Sequence, residues 1–305
     1  MPLPDDPKLI ALSEDLLKQF DAIFGLHPGF RPAHAKGFML AGTFTPSPDA
    51  ASLTRAPHIQ HESTPVSVRF SNSTGVPLVP DNDPNANPRG MAVRFHLAER
   101  VHTDIVSHSA DGFPVRTGDE FLEFLRALAS GDPTPFVSTH PATLRFVQLP
   151  KPAPSSFARE SYFGVTAYRF TNGDGATRFG RYRIVPEAGN EHLSDAEAAA
   201  KNANYLFDEL AARIAAGPIV FRVLVQLADS GDGVDDATIQ WPAERPVVEL
   251  GKITLTAPVA DDASEQKHII FDPIPRVDGI GPSADPLLEL RAALYLLSGR
   301  RRRSA

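Results

Sequence analysis

The chain has 305 residues, of which 42% are hydrophobic and 22% charged, values ordinary for a globular protein that buries a substantial core. Its formal net charge of −7 argues against broad nucleic-acid binding, which requires a basic surface to neutralise phosphates. It contains no cysteine, which excludes disulfides, thiolate nucleophiles, thiolate metal ligands and cysteine-rich zinc sites.

The N-terminal region predicts one amphipathic helix and no targeting segment. Leu16 and Phe20 fall at helical spacing within residues 13–24, with Ser13 as the expected N-cap and Gly25 as the stop. The basic start and apolar run of a signal peptide are missing, and no stretch approaches about eighteen uninterrupted apolar residues. We therefore expect no membrane span and a cytoplasmic protein, or a periplasmic or secreted one if a leader has been removed.

Strands dominate the region after this helix. Val66, Val68 and Phe70 alternate with polar residues, and similar patterns extend over residues 38–106. The stretch 77–88 is rich in proline, aspartate and asparagine and predicts a loop. This region is therefore expected to form antiparallel strands joined by turns.

The second half of the chain adds helices and further strands. The predicted helices span residues 119–130, 193–217 and 286–299, and the last is bounded by Pro286 and Gly299. The predicted strands span residues 164–170, 178–186, 219–227 and 247–255, a Pro-rich connection covers 133–154, and Asn172-Gly173-Asp174-Gly175 predicts a hairpin. Without a repeat or linker, the pattern predicts a single domain over 1–305, a large barrel with an interior wide enough for a ligand.

The last predicted helix carries Arg291 and Tyr295 four residues apart, so both side chains lie on one face. The positive charge of a guanidinium favours the phenolate form of a neighbouring phenol, and a phenolate is a hard ligand suited to ferric iron. An isolated pair of this kind is more often a core tyrosine beside a surface arginine. Whether this pair is an iron site therefore depends on the motifs around it.

Those motifs resemble the catalase family. Residues 271–286 resemble the segment that leads to the proximal tyrosine of catalases, and residues 31–37 (RPAHAKG) resemble the segment with the distal histidine. Residues 68–71 (VRFS) and 88–95 (PRGMAVRF) resemble the strands that follow. The resemblance covers roughly residues 25–302, and several motifs in one order are more specific than any one alone.

The resemblance implies an α+β fold of the catalase type, a large antiparallel barrel of about eight strands with inserted and C-terminal helices. It implies a haem b cofactor with Tyr295 as the proximal iron ligand and Arg291 beside it. His34 would be the distal acid–base residue, which moves a proton from the near to the far oxygen of a bound peroxide.

Eight further residues receive supporting roles from the resemblance. They are Ser71 as a hydrogen-bonding residue near His34; Arg31, Arg69 and Arg302 as partners of the haem propionates; Phe113 and Phe121 as the distal wall; and Phe271 and Pro273 as packing on the proximal side. Arginine suits buried carboxylates because it binds them bidentately. The register of the last arginine is open because four arginines are consecutive, and each apolar residue also fits an ordinary core role.

The chain departs from the family pattern at two positions. Where catalases have a distal asparagine this chain has His108, which can still donate a hydrogen bond and is counted among the catalytic residues. We expect it to disturb the use of hydrogen peroxide as a two-electron donor. Where catalases have a histidine near the proximal arginine this chain has Arg183, a second cation expected near the phenolate.

The chain resembles the minimal catalase-related peroxidases, since it lacks the N-terminal arm, wrapping loop and C-terminal helical region of typical catalases. We expect an open haem pocket, no NADPH site, a monomer or small homo-oligomer, and no nucleic-acid or membrane partner. The predicted activity is the reduction of hydrogen peroxide, and especially of organic hydroperoxides, by small organic electron donors, with weak or no catalase activity.

Two alternatives stay open at this point. One is the rearrangement of a fatty-acid hydroperoxide, as in allene oxide synthases, which consumes no reductant. The other is a haem-binding protein without turnover, for which a distal base such as His34 would have no use.

Overall fold

The structure is a computed structural model that describes residues 2–305, which form ten α-helices and twelve β-strands. In chain order, the helices are α1 (Pro7–Phe24), α2 (Ala50–Leu53), α3 (Pro57–Gln60), α4 (Gly118–Ala129), α5 (Thr134–Thr139), α6 (Pro141–Gln148), α7 (Asp195–Ala199), α8 (Tyr205–Ala216), α9 (Asp262–His268) and α10 (Leu287–Ser304). The strands are β1 (Gly37–Pro46), β2 (Thr64–Ser71), β3 (Gly90–Ala98), β4 (Val101–His108), β5 (Ala153–Pro154), β6 (Tyr162–Phe163), β7 (Tyr168–Thr171), β8 (Thr177–Pro186), β9 (His192–Leu193), β10 (Ile219–Leu227), β11 (Val247–Pro258) and β12 (Ile280–Pro282).

Eight of the strands in this part of the chain close into an antiparallel barrel. Their order around the ring is β1-β2-β3-β4-β6-β8-β10-β11, and β11 pairs with β1 to complete it. β7 and β12 extend from β8, while β5 and β9 form a small sheet of their own. The predicted α+β barrel of about eight strands is confirmed.

Large apolar side chains fill the inside of the barrel. Phe44, Phe70, Phe95, Tyr162 and Phe221 are each at most 1% exposed. The ring centroids of Phe70 and Phe221 lie 5.9 Å apart, within the range that aromatic core pairs favour. The interior is a packed core, so the expectation of space for a ligand inside the barrel is wrong. Alternation shows that a strand has two faces but does not show which face meets a ligand.

Several helices cover the outside of the barrel. α1 packs against both α10 and α4, and α9 lies against β1 and α10. Leu16, Leu122 and Leu290 are among the buried residues that join α1, α4 and α10 in one apolar cluster. None of the helices within the described residues has the length and apolar character needed to cross a bilayer.

Helix α1 begins at Pro7, earlier than the predicted start at Ser13. The Asp6 side chain caps it by accepting from the Lys8 amide at 2.9 Å, and proline suits the first turn because its missing N–H would have no partner there. Ser13 is buried inside the helix and donates to the Leu9 carbonyl at 2.8 Å. The predicted N-cap at Ser13 is wrong, because the Asp6 carboxylate caps the helix.

Helix α10 continues past Gly299, where the prediction ended it, and runs through the arginines to Ser304. A Cβ atom at Gly299 would collide with the side chain of Ile270. The glycine therefore permits close packing rather than ending the helix.

The predicted strand over residues 164–170 is shorter in the structure, where β7 begins at Tyr168, and the other predicted strands and the helix at 119–130 differ mainly in their ends. The connection 133–154 contains α5 and α6, and the helical region 193–217 is divided into α7 and α8. The hairpin at residues 172–175 is confirmed, because β7 and β8 pair on either side of it.

Candidate functional site

The outer faces of β1 to β4 carry a row of small and polar side chains. The strand register places Gly37 opposite Ser71, Ser71 opposite Gly90, and Gly90 opposite His108. The next row on this face consists of Met39, Arg69, Ala92 and Val106. Residues directly opposite one another are close neighbours, so the predicted Ser71, His108 and Arg69 share one surface.

His34 lies in the loop before β1 and its ring reaches this surface. Its Nδ1 is 3.0 Å from Ser71 Oγ, and Arg69 Nη2 donates to its carbonyl oxygen at 2.9 Å. A Cβ atom at Gly90 would lie 2.5 Å from Ser71 Oγ and 2.8 Å from His34 Nδ1. Gly90 therefore leaves room for the pair of His34 and Ser71.

The backbone of His34 adopts an uncommon conformation. Its φ is 56°, in the left-handed region that residues other than glycine rarely adopt. The amides of His34 and Ala35 donate to the carbonyls of Ser73 and Thr74 at 3.0 and 2.9 Å, which hold the loop in place. Strained residues held by their surroundings in this way cluster at functional sites.

The imidazole of His34 is neutral at physiological pH. Burial, and then the positive charge of Arg69, lower its pKa to about 3. A neutral imidazole has one nitrogen that can accept a proton. The residue is nevertheless only half-buried by its exposed surface, as expected for a side chain on the wall of an enclosed space.

His108 provides a second neutral imidazole. Burial, followed by the charge of Arg291, lowers its pKa to about 4. Its Nδ1 accepts from the Ala110 amide at 3.3 Å, so the proton of the neutral ring lies on Nε2. His108 therefore presents an N–H donor, the property that the family asparagine would supply.

Helix α10 presents Arg291 and Tyr295 on one face, as the spacing predicts. Arg291 Nε donates to Tyr295 Oη at 3.3 Å, and Arg291 Nη1 donates to Thr166 Oγ1 at 3.3 Å. Burial lowers the pKa of Arg291, but electrostatic attraction to Tyr295, Tyr168 and Asp285, together with the hydrogen bond to Tyr295, outweighs it and raises that pKa above its ordinary value. The phenol therefore faces a guanidinium that keeps its charge.

One apolar cluster joins this helix to the loop that carries His34. Tyr295, Phe113 and Phe121 pack against it, as does Ala33, the residue before His34. The ring centroids of Phe113 and Phe121 are 5.4 Å apart. The structure thus brings three predicted site residues, Tyr295, Phe113 and Phe121, into one region with the residue before His34.

The three predicted propionate-binding arginines converge on residues 266–269. Arg31 Nη2 and Arg302 Nη2 donate to the Ile269 carbonyl at 3.1 and 2.6 Å, and Arg69 Nε donates to Gln266 Oε1 at 2.8 Å. Arg302 is 3% exposed, which distinguishes it from its neighbours in the arginine run. These residues are called the arginine cluster below.

The arginine cluster carries more positive charge than its surroundings neutralise. Burial and the charge of Arg302 lower the pKa of Arg69 to about 9, and burial with Arg303 lowers that of Arg302 to about 10. The pKa of Arg31 is also well below its ordinary value, through burial and then Arg69. Asp262 is a carboxylate that opposes these shifts. Buried cations of this kind favour a ligand with more than one negative charge.

These donors fit a haem. A phenol oxygen suits ferric iron, and the buried arginines suit two propionates. The two neutral imidazoles suit the proton transfer and hydrogen bonding that a peroxide requires. Within residues 2–305, no group of three or more His, Asp or Glu side chains could hold a metal ion.

Phe271 and Pro273 lie outside the cluster that contains Tyr295. Phe271 packs with Met39 in a separate cluster against the outer face of the barrel. Pro273 accepts a hydrogen bond from the Tyr168 hydroxyl at 2.8 Å through its carbonyl oxygen. The packing of both residues against the proximal side of a haem stays a prediction.

Arg183 has a carboxylate partner of its own. Its Nη2 lies 3.0 Å from Asp111 and donates to Gln226 Oε1 at 2.7 Å. Its guanidinium also lies 5.2 Å from the ring centroid of Phe163. Any influence of Arg183 on the phenol of Tyr295 stays a prediction.

Thr166 contacts Arg291 and Gln266 contacts Arg69, but the sequence patterns predicted neither residue as part of the site. Thr166 is a single hydroxyl without a motif around it. Gln266 lies on α9, a helix that the sequence pattern did not predict, where it also binds Asp262 at 2.7 Å. Gly90, by contrast, is part of the family-like segment at residues 88–95.

Known proteins share this fold and much of this sequence. Residues 29–305 match the family model described as Catalase. A catalase-related peroxidase of Mycolicibacterium paratuberculosis is 38% identical over 282 residues, which cover 90% of this chain and 89% of that protein. A catalase-related peroxidase of Synechococcus elongatus is 33% identical over 297 residues, which cover 93% of this chain and 87% of that protein. A solved bacterial catalase superposes with a TM-score of 0.79 at 26% identity; the match covers 98% of this chain and 62% of that longer one.

Proposed function

The chain belongs to the catalase family, and on that premise we propose that it is a haem peroxidase acting on hydrogen peroxide and especially on organic hydroperoxides. The observation that carries the proposal is a neutral His34 bound to Ser71 Oγ, in one region with the Arg291–Tyr295 pair. The names of the two peroxidase relatives support the same activity. In this proposal residues 1–305 act as one haem-binding domain.

The proposed cofactor is haem b. Tyr295 would bind its iron, and Arg31, Arg69 and Arg302 would bind its propionates. When bound, haem supplies an iron centre that a peroxide oxidises and organic donors reduce. The absence of cysteine from the sequence rules out a thioether link to the protein, which favours the non-covalently held haem b. The proposal includes no NADPH.

His34 would move the proton that O–O cleavage requires. In the tautomer in which Nδ1–H donates to Ser71 Oγ, Nε2 keeps a lone pair and would accept the proton of the hydroperoxide. It then delivers this proton to the departing oxygen, which leaves as an alcohol or water. The Nε2–H group of His108 would donate a hydrogen bond to the peroxide.

The bulk of His108 supports the preference for organic hydroperoxides. Dismutation requires a second hydrogen peroxide to be held as a two-electron donor, and an imidazole occupies more of the distal space than an amide. Oxidation of small organic donors does not need that second peroxide. In this proposal the protein is a monomer or small homo-oligomer.

The test compares reductant use and products. Haem-loaded protein is given cumene hydroperoxide or hydrogen peroxide, with and without an aromatic donor. The proposal predicts one alcohol formed for each pair of donor electrons consumed, and slow release of oxygen from hydrogen peroxide. Isomerised product from a fatty-acid hydroperoxide without any donor would favour the rearrangement instead. Haem-loaded protein that consumes no peroxide would favour a haem-binding protein without turnover.

A further inference from the structure

A groove of about 240 Å³ opens beside the arginine cluster. Residues 26–30 form one wall, and the end of α10 with the residue that follows it forms the other, through Arg301, Arg302, Ser304 and Ala305. A cavity of roughly 150 Å³ is large enough for benzene, so this groove can hold a small substituted aromatic ring.

The walls of the groove combine apolar and basic side chains. Leu26 is 59% exposed and Phe30 is 47% exposed, so the groove offers an apolar edge and an aromatic ring for stacking. Arg302 forms the inner end and shares the Ile269 carbonyl with Arg31. The groove therefore runs from the surface to the arginine cluster.

The charge of this region is opposite to that of the whole chain. The net charge is −7, whereas residues 300–303 are four consecutive arginines. Arg301 is held by Asp21 at 2.6 Å, which fixes its guanidinium at the groove. A local positive field on an acidic protein draws small anions to this place in preference to others.

We propose that this groove binds the reducing substrate, and that this substrate is a small aromatic molecule with a negative charge, such as a hydroxybenzoate. Phe30 would stack on its ring, and Arg301 would attract its carboxylate, while Arg302 remains a partner of the haem propionates. The inference rests on the proposed function, because the donor would then lie at the propionate edge of the haem.

The electron balance of this arrangement closes with the peroxide alone as oxidant. Each phenol loses one electron and one proton and becomes a phenoxyl radical. Two such oxidations supply the two electrons and two protons that convert a hydroperoxide ROOH to ROH and water. The peroxide is handled at His34 and the donor at the groove, so the two substrates use separate places.

The first test measures binding of 4-hydroxybenzoate by calorimetry, without peroxide, to haem-loaded and haem-free protein. Phe30→Ala is expected to weaken binding about threefold to tenfold through the lost stacking. Arg301→Gln is expected to weaken it about threefold, with an effect that added salt reduces. Arg303→Gln removes the same charge at an exposed position outside the groove lining and is expected to leave the affinity unchanged, as is Leu78→Ala, at an 88% exposed leucine.

The second readout separates the two substrates. Phe30→Ala should raise the KM for the donor by the factor seen in binding, and should leave unchanged the KM for cumene hydroperoxide and the rate at which peroxide alters the haem spectrum. Binding only to haem-free protein would assign the groove to the cofactor and overturn the proposal. Unchanged affinity in both Phe30→Ala and Arg301→Gln would overturn it as well. Failure of the protein to take up haem would refute the proposed function, and the groove would then lose its role as a donor site even if the probe binds.

Discussion

The inner and outer faces of β1 to β4 differ in size and polarity, although their residues alternate along the same strands. Inside, Phe70 and Val93 are fully buried in the barrel core. Outside, the small residues Ser71 and Gly90 lie in one row with His108, and this row carries several hydrogen-bonding atoms. Phe70 and Ser71 are adjacent in the chain, yet Phe70 packs in the barrel core and Ser71 lies on the outer face. We infer that the inner face stabilises the barrel while the outer face provides space and polar contacts for a ligand.

Substitution of the inner face should have the largest effect on stability. Phe70→Ala removes a fully buried ring that lies within 6.0 Å, between centroids, of the rings of Phe157, Tyr162 and Phe221. We expect it to lower the free energy of unfolding by about 3–5 kcal/mol, measured by urea unfolding of the haem-free protein. Ser71→Ala is the control and should cost about 1 kcal/mol. A cost below about 1 kcal/mol for Phe70→Ala would mean that the interior is not a packed core.

Substitution of His34 should lower the rate of reaction with peroxide and have little effect on stability. His34→Ala removes the proposed base, so we expect the rate of the reaction with peroxide to fall about 100-fold or more. The free energy of unfolding should change by less than about 1 kcal/mol, because the side chain is only half-buried. Stopped-flow spectroscopy measures the rate, and the wild-type rate should be flat from about pH 5 to 8 because the pKa of His34 is about 3. An inflection near pH 6.5 that disappears in His34→Ala would contradict this assignment.

The imidazole of His58 inside the barrel offers a matched test of pH dependence. His58 lies between Phe44 and Phe95, with centroids 5.8 and 4.6 Å away, and its Nδ1 has no partner among the described residues. Burial, followed by His61, lowers its pKa to about 4. In the unfolded chain His58 has its ordinary pKa of about 6.5, so below that pH the unfolded state binds a proton that the folded state does not. The free energy of unfolding is therefore highest above pH 6.5 and falls as the pH drops towards 4.

Between pH 7.5 and pH 5, the free energy of unfolding should therefore fall by about 2 kcal/mol less in His58→Leu than in wild type. The rate of reaction with peroxide should be unchanged. Urea unfolding at the two pH values measures the difference. An equal loss in wild type and variant would show that His58 takes up its proton as readily in the folded barrel as in the unfolded chain.

Gly90→Ala should have the smallest of these effects. The added methyl group would lie 2.5 Å from Ser71 Oγ and 2.8 Å from His34 Nδ1, so the hydrogen-bonded pair must shift. We expect the reaction with peroxide to slow about tenfold, the effect of a misplaced catalytic group, with little loss of stability. The same alanine substitution at Gly173, where the added atom meets nothing within 4 Å, is the control. A rate equal to that of wild type would show that the pair tolerates displacement.

The sequence was sufficient for the fold class and for much of the candidate site, because motifs report local chemistry. The four-residue spacing of Arg291 and Tyr295 survives as a contact between Nε and Oη. The motif at residues 31–37 likewise predicts the histidine that meets Ser71. Both signals depend on residues that are close in the chain or that belong to a family-like segment.

The features that the sequence did not predict depend on contacts between distant segments. Local rules predict that Gly299 ends a helix, yet α10 continues through it to Ser304, and the glycine is needed because a Cβ atom there would collide with Ile270. Gln266 joins Arg69 to α9 across nearly two hundred residues, and no local pattern indicates such a contact. The side of the barrel that carries the site also follows from packing, since alternation is the same for both faces.

The most direct test of the account is the visible spectrum of haem bound to wild type, to Tyr295→Phe and to Tyr168→Phe. We expect a high-spin ferric spectrum for wild type and for Tyr168→Phe, because the Tyr168 hydroxyl donates to the Pro273 carbonyl and is not the proposed iron ligand. Tyr295→Phe should lose that spectrum and bind haem at least about tenfold more weakly, because it removes the iron ligand. Its haem-free form should unfold like wild type, since Tyr295 Oη makes only a 3.3 Å contact with Arg291. A Tyr295→Phe protein with wild-type spectrum and affinity, or a folded wild type that takes up no haem, would contradict the account.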